Sequence, residues 1–371
     1  MGAKRKKLFL HIGHGKTGTS AVQSFLALSH EKLKEAGYLY PFHPGFANAL
    51  QGRISAGNIT VGPDSGNWLR DIHASIADDD GYIAYIYSGE SMFWFMDSFF
   101  AEYDRVGHDL DVCILLSVRN PLDMLASDYQ QKVKRAGEIC GYSEFVLRRE
   151  CSCAQTVRAA ELVVAMEERG IDFKIFNYSS LGRRITSAVL RATGAPIPYG
   201  SKEFGTVNRS LTGSELLLTR ILNAVFGCVV DRRVSDTLVD ALPNLAADFP
   251  ILEPSIEQRV LDRMAPAVDL LNRHLPAEMP LVLEASLGSR ARCSDVALHF
   301  SQEQLDLARH KVVASLYPKG AAQTLRAVAQ KFGTNEAISK DEAIVLLELA
   351  KRASPRARRT LQSKIDELQS L

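Results

Sequence analysis

The chain has 371 residues, with 44 Lys and Arg against 43 Asp and Glu, a formal net charge of +1, and 46% hydrophobic residues. That balance leaves no basic excess of the kind that holds nucleic acid, and the length and apolar content suffice for a sizeable core. No segment approaches the ~18 to 20 apolar residues of a membrane span, and the first apolar run is too short for a secretory signal, so a cytoplasmic protein without a transmembrane segment is expected.

The first apolar run, Leu8 to Ile12, reads as a strand. Val22, Phe25 and Leu26 then recur on one helical face until Gly37 ends the segment. Between strand and helix lies a glycine-rich loop with Gly13, Gly15 and Gly18 and a single lysine, Lys16. Backbone N–H groups at a helix N-terminus, approached closely through glycines, present positive potential to an anion, and Lys16 adds a full charge. An ATP-type loop needs Gly, four residues, then Gly-Lys-Ser/Thr. Leu10 stands five residues before Gly15, so Gly15-Lys16-Thr17 does not complete that motif; Gly13 and Gly18 have the spacing, but Thr19 stands where the lysine belongs. The string Gly13-His-Gly-Lys-Thr-Gly-Thr-Ser20 resembles the 5'-phosphosulfate loop of sulfotransferases that use 3'-phosphoadenosine 5'-phosphosulfate (PAPS) as donor. That resemblance implies donor contacts from Gly15, Lys16, Thr17, Gly18, Thr19 and Ser20.

Tyr38 to Trp68, rich in Gly, Pro and Asn with scattered aromatics, reads as irregular and is the expected acceptor region together with Phe93 to Phe100. Gly81 to Tyr87 has the aromatic and β-branched content of a strand and runs into Ser88-Gly89-Glu90-Ser91. A carboxylate just past that strand's carboxyl end stands above the same sheet edge as the loop, which makes Glu90 the first choice of general base. Its bland alternatives are capping the Phe93-Trp94-Phe95 helix or pairing with Lys16. His14 competes as base because an unperturbed imidazole titrates near neutrality, although a loop residue is expected to face donor rather than acceptor. His11, inside the strand, reads as a core histidine with a satisfied hydrogen bond, and His43 as a loop residue able to line a cleft.

Val112 to Val118 is a near-continuous apolar run, as in a parallel strand buried on both faces, and Arg119 follows it. Asn120 and Pro121 then supply an N-cap and a first helical residue, placing Ser127 about two turns into a helix. Ser117-Val-Arg-Asn-Pro-Leu-Asp-Met-Leu-Ala-Ser-Asp-Tyr129 resembles the same family's 3'-phosphate site, which implies that role for Arg119 and Ser127. A helix over Ala154 to Arg169, closed by Gly170, and a strand over Ile171 to Tyr178 continue the alternation expected of an α/β protein, a P-loop-type parallel sheet with helices on both faces.

Thr206 to Thr212 is similar to Asn-Xaa-Ser-Leu segments of bacterial sulfotransferase-like proteins, which makes Arg209 either a further 3'-phosphate contact or an exposed arginine near a helix start; Thr212 and Glu215 form a capping box. The resemblance implies a catalytic domain over 1–290 and leaves 291–371 as a helical C-terminal extension. There Ser339 and Glu342 form a second capping box, and Leu361, Ile365 and Leu368 share one helical face after the Ser354-Pro355 break. Those helices have three available partners: the core, a second copy of the chain in a homo-oligomer, or an acceptor carrier. The six cysteines show no metal or redox spacing, Cys151 and Cys153 included, so reduced structural thiols and no metal site are expected.

The expected activity is in-line transfer of a sulfuryl group from PAPS, leaving the bisphosphate PAP, to a hydroxyl or amine of a small-molecule or glycan acceptor, with no metal required. Lys16 stabilises the leaving oxygen and Glu90 takes the proton. A nucleotide kinase or NTPase, and a catalytically inactive nucleotide-binding scaffold, are the alternatives.

Overall fold

The computed structural model describes residues 6–51, 57–77, 79, 81–106, 110–148, 154–197, 210–226, 231–242, 244–245, 249–284, 292–293, 301–307, 344, 347–348, 351 and 358–370. In chain order the elements are β1 (Lys6–Gly13), α1 (Thr19–Leu28), α2 (His30–Glu35), β2 (Tyr38–Leu39), α3 (Phe46–Leu50), α4 (Trp68–Ala77) and β3 (Ala84–Ser88). A 3-10 turn (Ser91–Trp94), α5 (Met96–Val106), β4 (Leu110–Val118), α6 (Pro121–Ala136), α7 (Tyr142–Arg148), α8 (Ala154–Glu168) and β5 (Asp172–Asn177) follow. Then come α9 (Tyr178–Leu181), α10 (Ile185–Thr193), α11 (Gly213–Phe226), α12 (Asp231–Ala241), β6 (Phe249–Pro250), α13 (Pro254–Asn272), β7 (Arg292–Cys293), α14 (Gln302–Leu307) and α15 (Arg358–Ser370).

The chain divides into two compact units. The first comprises Met1–Met124, Cys151–Val207 and Gln258–Ser286; the second comprises Leu125–Glu150, Asn208–Glu257 and Leu287–Leu371. The first holds a five-stranded sheet in the order β2-β3-β1-β4-β5, with every pairing parallel. Alternation along β1 explains both layers. Leu8, Leu10 and Ile12 share one apolar core with Trp68 and Leu69 of α4, Phe99 of α5, Val163 and Met166 of α8, and Val268 and Leu271 of α13. Phe9, pointing the other way, shares a second core with Ile86, Leu115, Val22 and Leu26 of α1, and Val189 and Leu190 of α10. The fold is thus the expected α/β arrangement, a parallel sheet with helices on both faces. Its central strand is β1, so the loop after β1 opens where the carboxyl ends of β3, β1 and β4 meet, the edge at which open α/β sheets bind ligands.

Two parts of the stretch from Tyr38 to Trp68, whose composition reads as irregular, form regular elements. Tyr38 and Leu39 form the edge strand β2 against Ala84 and Tyr85, and Phe46–Leu50 forms α3. The strand expected at Gly81 starts at Ala84, because Ala84 is the first residue in register with β1.

In the second unit the expected capping box is present. Thr212 N–H donates to Glu215 Oε2 at 2.9 Å and Glu215 N–H to Thr212 Oγ1 at 3.3 Å. A matching box opens α14, where Ser301 N–H donates to Gln304 Oε1 at 2.9 Å and Gln304 N–H to Ser301 Oγ at 3.1 Å. Gln304 Nε2 joins the two by donating to Thr212 Oγ1 at 3.2 Å and Glu215 Oε1 at 3.0 Å, so both helix starts share one buried polar knot. The face of α15 expected from the sequence is buried, with Leu361, Ile365 and Leu368 all inside. No helix among the described residues is long and apolar enough to cross a membrane. Arg209, Cys151, Cys153 and the Ser339–Glu342 box lie outside the described residues.

Candidate functional site

The site begins where β1 runs out of strand. Gly13 is its last residue, and a Cβ there would stand 2.7 Å from Thr17 Oγ1 and 3.0 Å from Ser117 O, so only glycine lets the loop turn back this tightly over β4. Thr17 Oγ1 donates to His14 O at 2.7 Å and closes the turn. Gly18 is the N-cap of α1 in the left-handed conformation at φ 82°, and its carbonyl accepts from Ala21 N–H at 3.0 Å and Val22 N–H at 3.1 Å. Residues at the start of α1 therefore present their free N–H groups to the loop, with Thr19 and Ser20 at the helix head.

Lys16 is exposed at the tip and has φ 72°, the one positive value outside glycine among the described residues. A non-glycine residue in that region carries a backbone cost of about 1–2 kcal/mol, and such residues concentrate at functional sites. Arg119, past the end of β4, holds this conformation from outside: its guanidinium donates to Lys16 O at 3.1 Å and lies over the Tyr178 ring, 5.5 Å from the centroid. Tyr178 also backs the loop at Gly18, where a Cβ would stand 2.6 Å from the ring. Tyr178 went unnoticed in the sequence; its place directly after the last strand of the alternation is the signal that points to it.

Glu90 follows β3 and reaches the loop. Its carboxylate accepts a short hydrogen bond from Thr19 Oγ1, and its other oxygen lies 3.7 Å from where a Cβ of Gly15 would stand. The side chain does not cap the 3-10 turn that it precedes, which removes one of its bland readings. Glu90 thus belongs to the rim of the anion loop, in contact with a hydroxyl that the resemblance assigns to a phosphate.

His14 is less suited to proton transfer than its position in the sequence implies. Only 1% of it is exposed, and burial pulls its pKa from 6.5 down to about 4. Its Nδ1 lies 3.0 Å from Gly15 O; a carbonyl only accepts, so Nδ1 carries the proton. Its ring meets Phe93 edge to face at 5.7 Å, and Phe93 meets Trp94 at 5.1 Å, so an aromatic series runs from the loop to Trp94, which is 46% exposed. His43 sits against Tyr40 and Phe46, with ring centroids at 5.9 and 5.7 Å, and both its nitrogens are buried without a hydrogen bond.

The first unit thus brings together Gly15, Lys16, Thr17, Gly18, Thr19, Ser20, His14, Glu90 and Arg119. Ser127 lies on α6 in the second unit and is half-buried. Chemically, the first unit offers a glycine loop and helix start whose N–H groups suit an anion, with an exposed cation at the loop tip, a second cation bonded to the loop and a carboxylate at its edge. No family model, no curated protein and no solved structure matches the chain.

Proposed function

We propose that the protein is a PAPS-dependent sulfotransferase acting on a hydroxyl or amine of a small-molecule or glycan acceptor. The observation that carries this reading is the joining of three separate chain segments at one loop: Glu90 bonds Thr19, and Arg119 bonds the carbonyl of Lys16. The tight turn at Gly13, the left-handed Gly18 and the helix start at Thr19 suit a phosphate. When bound, PAPS supplies the sulfuryl group and a phosphate leaving group. Lys16 would neutralise charge growing on the bridging oxygen, the amides and hydroxyls of Thr17 to Ser20 would hold the 5'-phosphate, and Arg119 would contribute to the 3'-phosphate contact. Glu90 leaves Thr19 and takes the acceptor proton.

Exposed aromatics near this edge favour an acceptor with a ring to stack, a sugar among them. Trp94 follows Glu90 by four residues, and Phe42, 68% exposed, lies in the segment after β2. The protein is expected to act in the cytoplasm, without a metal.

The test is calorimetric binding of 3',5'-adenosine bisphosphate without metal, beside ATP with magnesium, to wild type, Lys16→Ala and Arg119→Ala. Tight bisphosphate binding, weakened tenfold or more in each variant, supports the reading. Preference for magnesium-ATP would move the protein to the kinase or NTPase class, and binding of neither would overturn both.

A further inference from the structure

The three chain segments that form the loop rim share a feature two residues below it. His11 in β1, Ser88 in β3 and Ser117 in β4 form one stepped polar rung across the three central strands near their carboxyl ends. His11 Nδ1 lies 2.8 Å from Ser88 Oγ and its Nε2 lies 3.1 Å from Ser117 Oγ. All three side chains are fully buried. They lie on the α1 face: Ser88 is the β3 residue level with His11, while on β4 Leu115 is level with His11 and Ser117 stands one pleat further on, level with Gly13, so the imidazole reaches up to it diagonally. The spacing to the site is the same on each strand. His11 precedes Gly13, where the loop begins; Ser88 precedes Glu90; Ser117 precedes Arg119. Gly89 N–H also donates to His11 O at 3.2 Å, and the space beside Gly13 is bounded by Ser117 itself.

A buried hydrogen-bonded rung is a poor device for stability, because replacing every partner with apolar groups of the same shape is often neutral or better. It is a good device for geometry. An imidazole has two nitrogens fixed at opposite sides of a rigid ring, and a hydroxyl can serve either as donor or as acceptor, so the ring holds two flanking strands at set heights. The backbone ladder sets the pairing of the strands, and a ring bonded on both sides adds a directional side-chain restraint close to their ends.

We propose that His11 is a positioning residue that pins the ends of β1, β3 and β4 in register, so that the Lys16 loop, Glu90 and Arg119 converge on one anion. The inference rests on the anion-loop reading above, and it adds a residue that touches neither donor nor acceptor.

The test replaces the whole rung by His11→Leu, Ser88→Ala and Ser117→Ala together, which leaves no polar group unpaired. Thermal unfolding is measured beside calorimetric affinity for the adenosine bisphosphate and for inorganic pyrophosphate. The expected result is a folded triple variant, with a melting temperature within a few degrees of wild type, that binds both anions at least tenfold more weakly. His11→Gln, which keeps a donor and an acceptor on the same strand, is expected to recover part of the loss. A folded triple variant with wild-type affinity overturns the proposal. Should the triple variant fail to fold, Ser117→Ala decides: affinity weakened several-fold supports the pin, and unchanged affinity overturns it. Wild-type protein that binds pyrophosphate but not the bisphosphate would sink the sulfotransferase reading while the pin is still read through pyrophosphate. Binding of neither anion would end both.

Discussion

Glu90 stands at the point where the roles of base and anion loop compete. A carboxylate bonded to Thr19 puts negative charge beside the cradle that is to hold phosphate, so anion binding has to displace it. Glu90→Gln is therefore expected to bind the bisphosphate about three- to tenfold more tightly by calorimetry while losing sulfuryl transfer; weaker binding would show that the carboxylate supports the loop instead. Lys16 poses the complementary case. Glycine at position 16 removes the steric cost of φ 72° but adds chain entropy to the unfolded state, so Lys16→Gly should raise stability by up to about 1 kcal/mol while bisphosphate affinity falls tenfold or more. Denaturant midpoints compared with Lys16→Ala isolate the backbone part. At this scale the sequence was informative about residue types and poor about partners. Glu90 was legible from its place after a strand, but its bond to Thr19 depends on a register between β1 and β3 that no local pattern encodes. His14 ranks below Glu90 in the sequence for its place in the loop; its burial, which takes the imidazole out of the solvated range, has no local signal.

Among the elements, those with strong periodicity were read nearly in full. The apolar run of β4 and the Asn120-Pro121 start of α6 are visible as they stand, since a doubly buried strand must be apolar throughout and a proline suits the first helical position. β2 was missed because two residues cannot display alternation, and it exists through its pairing with β3. The linked capping boxes of α11 and α14 show the same division: each box is a local four-residue pattern, whereas the bond from Gln304 to Glu215 joins residues far apart in sequence. Gln304→Ala removes that link and the α14 box together, leaving buried Glu215 Oε1 one donor poorer, and is expected to cost about 2 kcal/mol. Thr212→Ala removes the α11 cap and one of the two acceptors of Gln304 Nε2 and should cost about 1–2 kcal/mol, and urea unfolding of the two variants and their double mutant measures the coupling.

For the molecule as a whole, two buried histidines make stability depend on pH. Burial lowers both His11 and His14 from 6.5 to about 4. Between those values the unfolded chain binds more protons than the native one, so stability is complete above about pH 6.5 and declines as pH falls towards 4, by on the order of 3 kcal/mol per histidine. Urea unfolding at pH 7 and pH 5 should show the decline in wild type and about half of it in the variant lacking the His11 rung; a flat profile would mean that neither imidazole stays neutral in the native state. The α/β class was legible at this scale from the repeated change between strand and helix patterns. The partition of the chain was not, because the two units change over between Met124 and Leu125, inside α6, where composition shows no break.

The covering of one sheet face by α13 also bears on how the protein is made. β5 ends at Asn177, yet Val268 and Leu271 of α13 belong to the core of Leu8 and Leu10, and Asn177 Nδ2 donates to Pro280 O at 2.7 Å. A chain emerging from the ribosome completes its five strands roughly a hundred residues before that cover arrives, a delay on the order of 5–20 s at ordinary elongation rates. Throughout that interval the part of this apolar core that α13 completes, beside α4, α5 and α8, is open to solvent. Nascent chains arrested near residue 250 should accordingly be captured by chaperones and be cut readily by protease, and chains released past residue 286 should be resistant.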